Sequence, residues 1–448
     1  MNERSCRRIG ILGGGLGGFI SAYTLINYLP AQETKIEILE ANKKIGGLMK
    51  TVKVDEFIFD IGGSHIIFSK SHKVLEFLLR FAGRVVKHHR DARIFYKGKY
   101  IKYPFENGMY LLSPEDRFYI IYKYIENLLA REKNNLPSPK NFGEWLYYWF
   151  GEGLTKLYLE PYNQKIWKCQ LDRIGIGWIK GRVPNPPLID MIKSAVGIPT
   201  EGYKHQINFY YPYEGGIENV IKGIKRVLEE KGVSIFCNFP VEKVTFEDGV
   251  FIVKSGKKEK IYDCIINTIP LPKFISMFKE TPEHIKMLAR NFMWTSVITV
   301  GIAVQKQKLS KFHWVYFPQR DIVFHRIAFL SNYSPKMAPE GYSTILCEIT
   351  AFKGEINKPL KSILDDAVED LSRLNIISRD DVVFSDAWIN SYGYPIEHLT
   401  YEADMLKILD FLGRYGIVTV GRWGSWRYLN MDAVVETTRE KILDFIEK

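Results

Sequence analysis

Long apolar runs are missing from this sequence. No span of about 20 consecutive apolar residues occurs in its 448, so no membrane-crossing helix is expected. Cysteine is scarce: Cys6, Cys169, Cys237, Cys264 and Cys347 are five in number, and no two form a CxxC pair. That excludes a zinc ribbon and argues against a disulfide framework, as in a reducing compartment. There is no Gly-x-Ser-x-Gly elbow, no metal-ligand cluster, no internal repeat and no low-complexity tract. The charge lacks a focus too. A net +11 permits binding to phosphate or an anionic surface, but Lys and Arg are spread along the chain and form no basic tail, so no nucleic-acid partner is expected. The basic, apolar start "RSCRRIGILGGGLGGF" imitates a secretory leader, yet its glycines would cost a helix roughly 1 kcal/mol each. The expectation is a cytoplasmic protein.

Aromatic residues, by contrast, reach 14%, and glycines cluster where they carry chemistry. "RIGILGGGLGGFISAYTLI" is an apolar strand, a glycine turn and a helical pattern, followed by a second strand "KIEILE". Gly13, Gly15 and Gly18 fit G-x-G-x-x-G in the strand–turn–helix context that gives this otherwise weak motif its meaning. Gly13 permits the tight turn, Gly15 lets a pyrophosphate approach the backbone, and Gly18 lets helix and strand pack closely. The helix N-terminus offers N–H groups to phosphate. Glu40, ending the second strand, would accept a ribose hydroxyl and disfavour a 2′-phosphate.

The remaining chain reads as insertions in this unit. "SPEDRFYIIYKYIENLLA" is a helix with Ser113 as N-cap, Pro114 at the first position and Asp116 at the third. Its expected apolar face is Phe118, Ile121, Ile125, Leu128 and Leu129. "EWLYYWFGEGLTKLYLEPY" continues a helical lobe. "WTSVITVGIAVQ", "DIVFHRIAFLS" and "YSTILCEIT" alternate at period two and predict an antiparallel sheet. The fold class expected is α/β: a Rossmann-like dinucleotide-binding domain in three parts (1–106, 205–285, 386–448), an inserted helical lobe (107–204) and an antiparallel β-sheet domain (286–385). In "FHRIAF" alternation puts Phe324, Arg326 and Ala328 on one face, where an arginine among apolar neighbours wants an anionic partner.

Two resemblances sharpen this reading. Gly46-Gly47 follows Glu40, and "VEKVTFEDGVFIVKSGKKEKIYDCIINTIP" reads as a β-meander returning to the sheet. Both are similar to the FAD family of amine oxidases, protoporphyrinogen oxidases, phytoene desaturases and UDP-galactopyranose mutases. "DIGGSHIIFS", "YPFEN", "EPYNQKIW", "GWIKGRV", "FYYPYEGG", "WVYFP", "FHRIAFLSNYSP", "GYP" and "GRWGSWRYLNMD" together resemble the UDP-galactopyranose mutases, mostly of eukaryotic type, in the same order over nearly the whole chain.

That resemblance implies non-covalent FAD, active when reduced, held by Gly13, Gly15, Leu16, Gly18, Glu40, Gly46, Gly47, Leu48, Gly63, Ser64, His65, Val241, Gly421, Arg422, Asn430 and Met431. NAD(P)H is a candidate reductant. Tyr103, Phe105, Asn163 and Trp167 would line a uridine pocket. Arg326, Tyr316, Tyr394 and Tyr428 would hold the diphosphate, and Gln206 stands where the eukaryotic type has an Asn. Arg182, Arg422 and His65 would sit at the sugar and flavin, as the implied catalytic set, and Asn430 replaces an Asp of the family. No metal is implied, and a homo-oligomer is compatible with the family. The implied reaction interconverts UDP-galactopyranose and UDP-galactofuranose through a sugar adduct at N5 of the reduced flavin, serving cell-surface polysaccharide synthesis. The alternative is an oxidase or desaturase of the same FAD family, acting on an amine, porphyrinogen or isoprenoid. A flavin-binding module without catalysis is the third reading, disfavoured by the Arg and Tyr series.

Overall fold

The structure, a computed structural model, describes residues 8–30, 32–179, 185–201 and 207–447. Arg182 and Gln206 therefore lie outside the described residues. Five parallel strands form the central sheet in the order Val418–Thr419, Cys264–Asn267, Arg8–Leu12, Lys35–Leu39, Ser234–Phe236. The chain thus returns twice to a sheet begun by its first strands, and all four neighbouring pairs are parallel. Parallel strands buried on both faces read as continuous apolar runs, which is why "IGIL" and "CIIN" do not alternate. The helix Leu16–Tyr28 covers this sheet, and Gly18 has no room for a Cβ, which would run into the Gly13 carbonyl oxygen.

The β-meander expected before the third strand forms as an antiparallel trio, Lys243–Glu247, Val250–Ser255 and Lys258–Tyr262. The antiparallel sheet is also present, with seven strands, and it is wider than the sequence pattern suggested. It recruits Ala92–Tyr96 and Lys99–Lys102 from the early chain, and its edge strand runs from Val382 to Ile396. Its central strands, Met293–Val304 and Ser343–Phe352, pair over ten residues. "DIVFHRIAFLS" yields only the short strand Arg326–Phe329. Phe324 precedes it and packs with Ile327 and Phe317, so the expected shared face of Phe324 and Arg326 does not form.

The helical lobe carries one clear correction. Ser113 caps the helix Pro114–Glu132 as expected, accepting from the Asp116 N–H at 3.2 Å. Its buried residues, however, are Ile120 and Tyr124, while Phe118, Ile125 and Leu129 are exposed. Two glycines of the next helix explain this. A Cβ on Gly153 would sit 2.7 Å from Ile120 Cα, and one on Gly151 would sit 3.0 Å from Tyr124 Cα. The two backbones cross too closely for side chains, and the crossing draws in the 120/124 side. Beyond Gly151 (φ +72°) the chain makes a π-helical turn at Thr155–Leu159 and then the short helix Glu160–Trp167. The wider turn carries Tyr158 and leads directly into the helix of Tyr162, Asn163 and Trp167, beside the cleft described below.

The cysteine expectation also needs correction: Cys264 is disulfide-bonded, whereas Cys169, Cys237 and Cys347 are free thiols. No helix among the described residues is long and apolar enough to cross a membrane, and no cluster of three metal-ligating side chains occurs among them.

Candidate functional site

Two clefts meet at the C-terminal edge of the parallel sheet. The first, about 460 Å³, is lined by Gly13–Gly17, Glu40, Gly46–Met49, Val241, Thr268, Gly421 and Met431. Here three distant parts of the chain converge, and small residues make the convergence sterically feasible. A Cβ on Gly17 would lie 2.9 Å from Gly421 Cα, and one on Gly47 would lie 3.2 Å from Gly15 Cα. The helix Leu16–Tyr28 starts in this cleft with no side-chain cap and no acidic residue in its first turn, so its N-terminal amides and dipole favour an anion. Glu40 is buried; its Oε2 accepts from Gly14 N–H at 2.9 Å, and its Oε1 accepts from the backbone and side-chain N–H groups of Asn42. Oε2 keeps a second lone pair for a hydroxyl. These residues fit the pyrophosphate and adenosine ribose of a dinucleotide such as FAD.

The second cleft, about 400 Å³, is walled by Tyr103, Phe105, Glu106, Tyr158, Tyr162, Asn163, Trp167, Trp178, Tyr316, His325, Arg326, Tyr394, Tyr428 and Asn430. Leu48, His65, Arg422 and Met431 line both clefts. A depression of about 1050 Å³ lies elsewhere, around Lys53, Arg226 and Glu340, so size alone does not mark the site. The convergence of glycines, orphaned polar atoms and aromatic rings does.

The structure thus brings together nearly all the described residues singled out from sequence. Gly18 is the exception, since it serves packing and lines neither cleft. Gly63, Ser64 and Asn430, expected at the cofactor, line the second cleft. Phe105 lines the second cleft but is fully buried, stacked on Tyr158 with ring centroids 4.8 Å apart. The Asn163 amide is engaged within its own helix, donating to the Leu159 carbonyl at 2.7 Å and accepting from Trp167 Nε1 at 3.1 Å. It fixes the Trp167 ring. Arg422 donates to the Leu429 carbonyl through Nε and Nη2 and to the Gly393 carbonyl through Nη1, and it lies over the Tyr428 ring at 5.2 Å. One arginine thereby ties the "GYP" strand to the segment that closes both clefts.

His65 stands at the junction. Burial lowers its pKa to about 3, with the positive charges of Arg422 and Arg326 acting the same way. The ring is therefore neutral at physiological pH, and its buried Nε2 has no protein partner. An orphaned buried nitrogen costs about 1–3 kcal/mol unless something else bonds it, which fits a ligand at the meeting point of the clefts.

Arg326 corrects an expectation. Its anionic partner is within the protein: Nη2 lies 2.7 Å from both carboxylate oxygens of Glu348, and Nε lies 3.1 Å from Oε1. Burial alone would lower the Arg326 pKa, but the Glu348 charge and the neighbouring tyrosines outweigh it and raise the value. Glu348 is fully buried and also accepts from Ser64 N–H at 2.9 Å and, more weakly, from the Tyr394 hydroxyl at 3.4 Å. It couples the glycine–histidine loop to the arginine, and sequence reasoning missed it. A single carboxylate inside the apolar run "STILCEIT" was the available signal, because a buried charge needs a partner. Tyr162, Trp178 and His325 were missed as cleft residues as well, and both ring nitrogens of the buried His325 lack hydrogen-bond partners.

Comparison with known proteins places the fold. A family model described as an NAD(P)-binding Rossmann-like domain matches residues 11–81. Coproporphyrinogen III oxidase of Staphylococcus aureus is 22% identical over 412 residues, covering 84% of this chain and 83% of that protein. Protoporphyrinogen oxidase of Dictyostelium discoideum is 20% identical over 361 residues, covering 67% of each. Among solved structures, reduced UDP-galactopyranose mutase superposes with a TM-score of 0.87 at 24% identity, covering 97% of this chain and 93% of that one. The architecture is that of the Rossmann-like flavoprotein oxidase fold: a parallel sheet with separate antiparallel sheets.

Proposed function

We propose that this chain is a flavin-dependent UDP-galactopyranose mutase that interconverts UDP-galactopyranose and UDP-galactofuranose. The observation that carries the reading is the second cleft: aromatic and polar together, it opens onto the dinucleotide cleft through His65 and Arg422. Flat rings suit uracil, charge-assisted donors suit a diphosphate, and a polar floor suits a sugar.

Reduced FAD in the first cleft would supply the nucleophile toward the anomeric carbon. The protein's own work is positional. The Gly13–Gly17 turn and helix N-terminus bind the pyrophosphate, and Glu40 binds the ribose. Gly46, Gly47, Leu48 and Val241 complete that cleft. Tyr103 and Trp167 orient the uridine end of the substrate, and Tyr316 and Tyr428 stand with Arg326 at the diphosphate. Tyr394 stays protonated, because burial and the Glu348 charge raise its pKa, and its hydroxyl would turn from the weak 3.4 Å contact with Glu348 to donate to the diphosphate. Arg326 lines this cleft and keeps Nη1 outside its ion pair with Glu348, so Nη1 would meet a phosphate oxygen. Donors placed there stabilise UDP as charge develops on the leaving group, and hold it nearby for return. Neutral His65 offers Nε2 to the sugar or the cofactor, and Arg422 holds Gly393 and Leu429 around them.

A second reading, oxidation of a porphyrinogen, is favoured by the names of the sequence relatives. The ionised and hydroxylated wall of the second cleft favours the nucleotide sugar. Calorimetric titration separates them. Micromolar UDP binding supports the mutase, whereas binding of a porphyrin without UDP binding supports the oxidase.

A further inference from the structure

Apart from the two clefts, a crevice of about 350 Å³ opens where the helical lobe meets the antiparallel sheet. The junction is tied by a β-bridge between Ile174 and His398 and by the Gly175 N–H, which donates to the Glu397 carbonyl at 2.7 Å. Three cations from distant parts of the chain line the crevice. Arg173 ends the short turn Leu171–Arg173 of the lobe, Arg290 ends the helix Glu283–Arg290, and Lys353 follows the central strand Ser343–Phe352. Asn291, His398 and Thr400 complete the polar lining, and no Asp or Glu is part of it.

Gathering like charges is unfavourable unless an anion offsets them. Among the described residues the Arg173 side chain makes no ion pair or hydrogen bond. The Lys353 ammonium lies over the Trp294 ring at 5.4 Å and has no carboxylate partner either. Burial and the Arg173 charge lower the Lys353 pKa, and the opposing charge of Glu355 does not offset them. Arg290 is paired, with Glu283 at 2.9 Å, and stands exposed at the rim. His398 is an independent sign of a ligand. It is buried, its Nε2 lies 2.8 Å from Asp404 Oδ2, and its Nδ1 has no hydrogen-bond partner. A carboxylate accepts, so the neutral ring carries its proton on Nε2 and leaves Nδ1 as a buried acceptor without a donor. Met293 and the exposed Leu399 supply the apolar part of the lining.

We infer that this crevice is a second anion site that binds a small organic phosphate, with the phosphomonoester between Arg173 and Lys353 and a hydroxyl of the organic part donating to His398 Nδ1. Cations bind the phosphate through charge-assisted hydrogen bonds, and Leu399 and Met293 meet the carbon chain. The segments that lead to Arg173, Lys353 and His398 carry Trp167, Glu348 and Tyr394, so an occupied crevice ties together the elements that build the second cleft. The inference does not depend on what either of the other clefts binds.

Calorimetric titration of the full flavin-loaded chain with glycerol 3-phosphate, with and without saturating UDP, tests this. Saturable binding is expected in both conditions, and the unfolding temperature should rise with the ligand concentration. Arg173→Gln and Lys353→Gln should each weaken binding by about tenfold or more, with flavin content and the UDP titration unchanged. Should Lys353→Gln fail to fold, Arg173→Glu, at an exposed position, gives the same readout. Vesicles of phosphatidic acid in phosphatidylcholine form the second arm. Co-sedimentation with them that both substitutions abolish would support the site with a lipid headgroup as the source of the phosphate. No binding of either probe, binding of glycerol 3-phosphate that UDP displaces, or binding that both variants retain would overturn the inference.

Discussion

Arg326 and Glu348 form a bidentate ion pair, with Nη2 2.7 Å from each carboxylate oxygen, and the same carboxylate receives the Ser64 N–H at 2.9 Å. The pair therefore joins the antiparallel sheet to the loop that presents His65. Truncating the arginine strands a fully buried carboxylate. Arg326→Ala should cost about 3–5 kcal/mol of stability, the range for breaking a buried pair from one side. Arg326→Met with Glu348→Leu should recover most of it. Urea unfolding of the single and the double variant measures the difference, and equal loss in both would show that the pair is not the unit that matters.

Glu348→Gln should have the opposite effect on ligand affinity. The amide still accepts from Ser64, but the Arg326 charge is no longer offset. At ~8 Å and an effective dielectric of ~20, an added unit charge is worth on the order of 2 kcal/mol toward an anion. UDP should therefore bind more tightly, by roughly thirtyfold, in calorimetry. Unchanged or weaker binding would place the diphosphate away from Arg326.

The cofactor cleft depends on backbone contact between distant segments. Gly17→Val would drive a side chain into Gly421, whose Cα lies 2.9 Å from the Cβ position. The purified wild-type protein should be yellow and release FAD on heating, and Gly17→Val should carry little flavin while keeping its far-UV circular dichroism. Chromatography of the heat-released cofactor reads both results.

Stability should fall in mild acid. His65 (pKa lowered to about 3), His313 (about 4) and His325 (well below the usual value) are all held neutral chiefly by burial. Between these values and the unfolded value of ~6.5 the unfolded chain binds more protons, so stability rises with pH in that window and drops as pH is lowered through it. At pH 5 each such histidine costs about 2 kcal/mol relative to pH 7. Asp60 acts in the other direction: burial raises its pKa to about 6, so it favours the folded state as pH falls from 6 to about 4. Three groups outweigh one. The unfolding temperature should drop by several degrees between pH 7 and pH 5, and His313→Asn should flatten that slope.

The parallel sheet and its glycine turn were legible because local rules decide them. A strand, a turn needing positive φ at Gly13 (+108°) and a helix N-terminus are all written within a few residues. The β-meander was legible for the same reason. The outward face of Pro114–Glu132 was not, since periodicity finds apolar rows without telling which one is buried, and here the glycines at 151 and 153 on another helix decide it. The site followed the same division. Tyr316, Tyr394, Tyr428 and Trp167 were found through motifs, whereas Glu348 becomes meaningful only when a strand pairing sets it opposite Arg326.

A mutase of this kind carries out a non-redox isomerisation that requires a reduced cofactor. The most direct measurement is to incubate the purified protein with UDP-galactofuranose, with and without dithionite, and separate the UDP-sugars by chromatography. The protein should convert it to UDP-galactopyranose only after reduction, with many turnovers per reduced flavin. Equal conversion by the oxidised protein, or none after reduction, would contradict the mutase assignment.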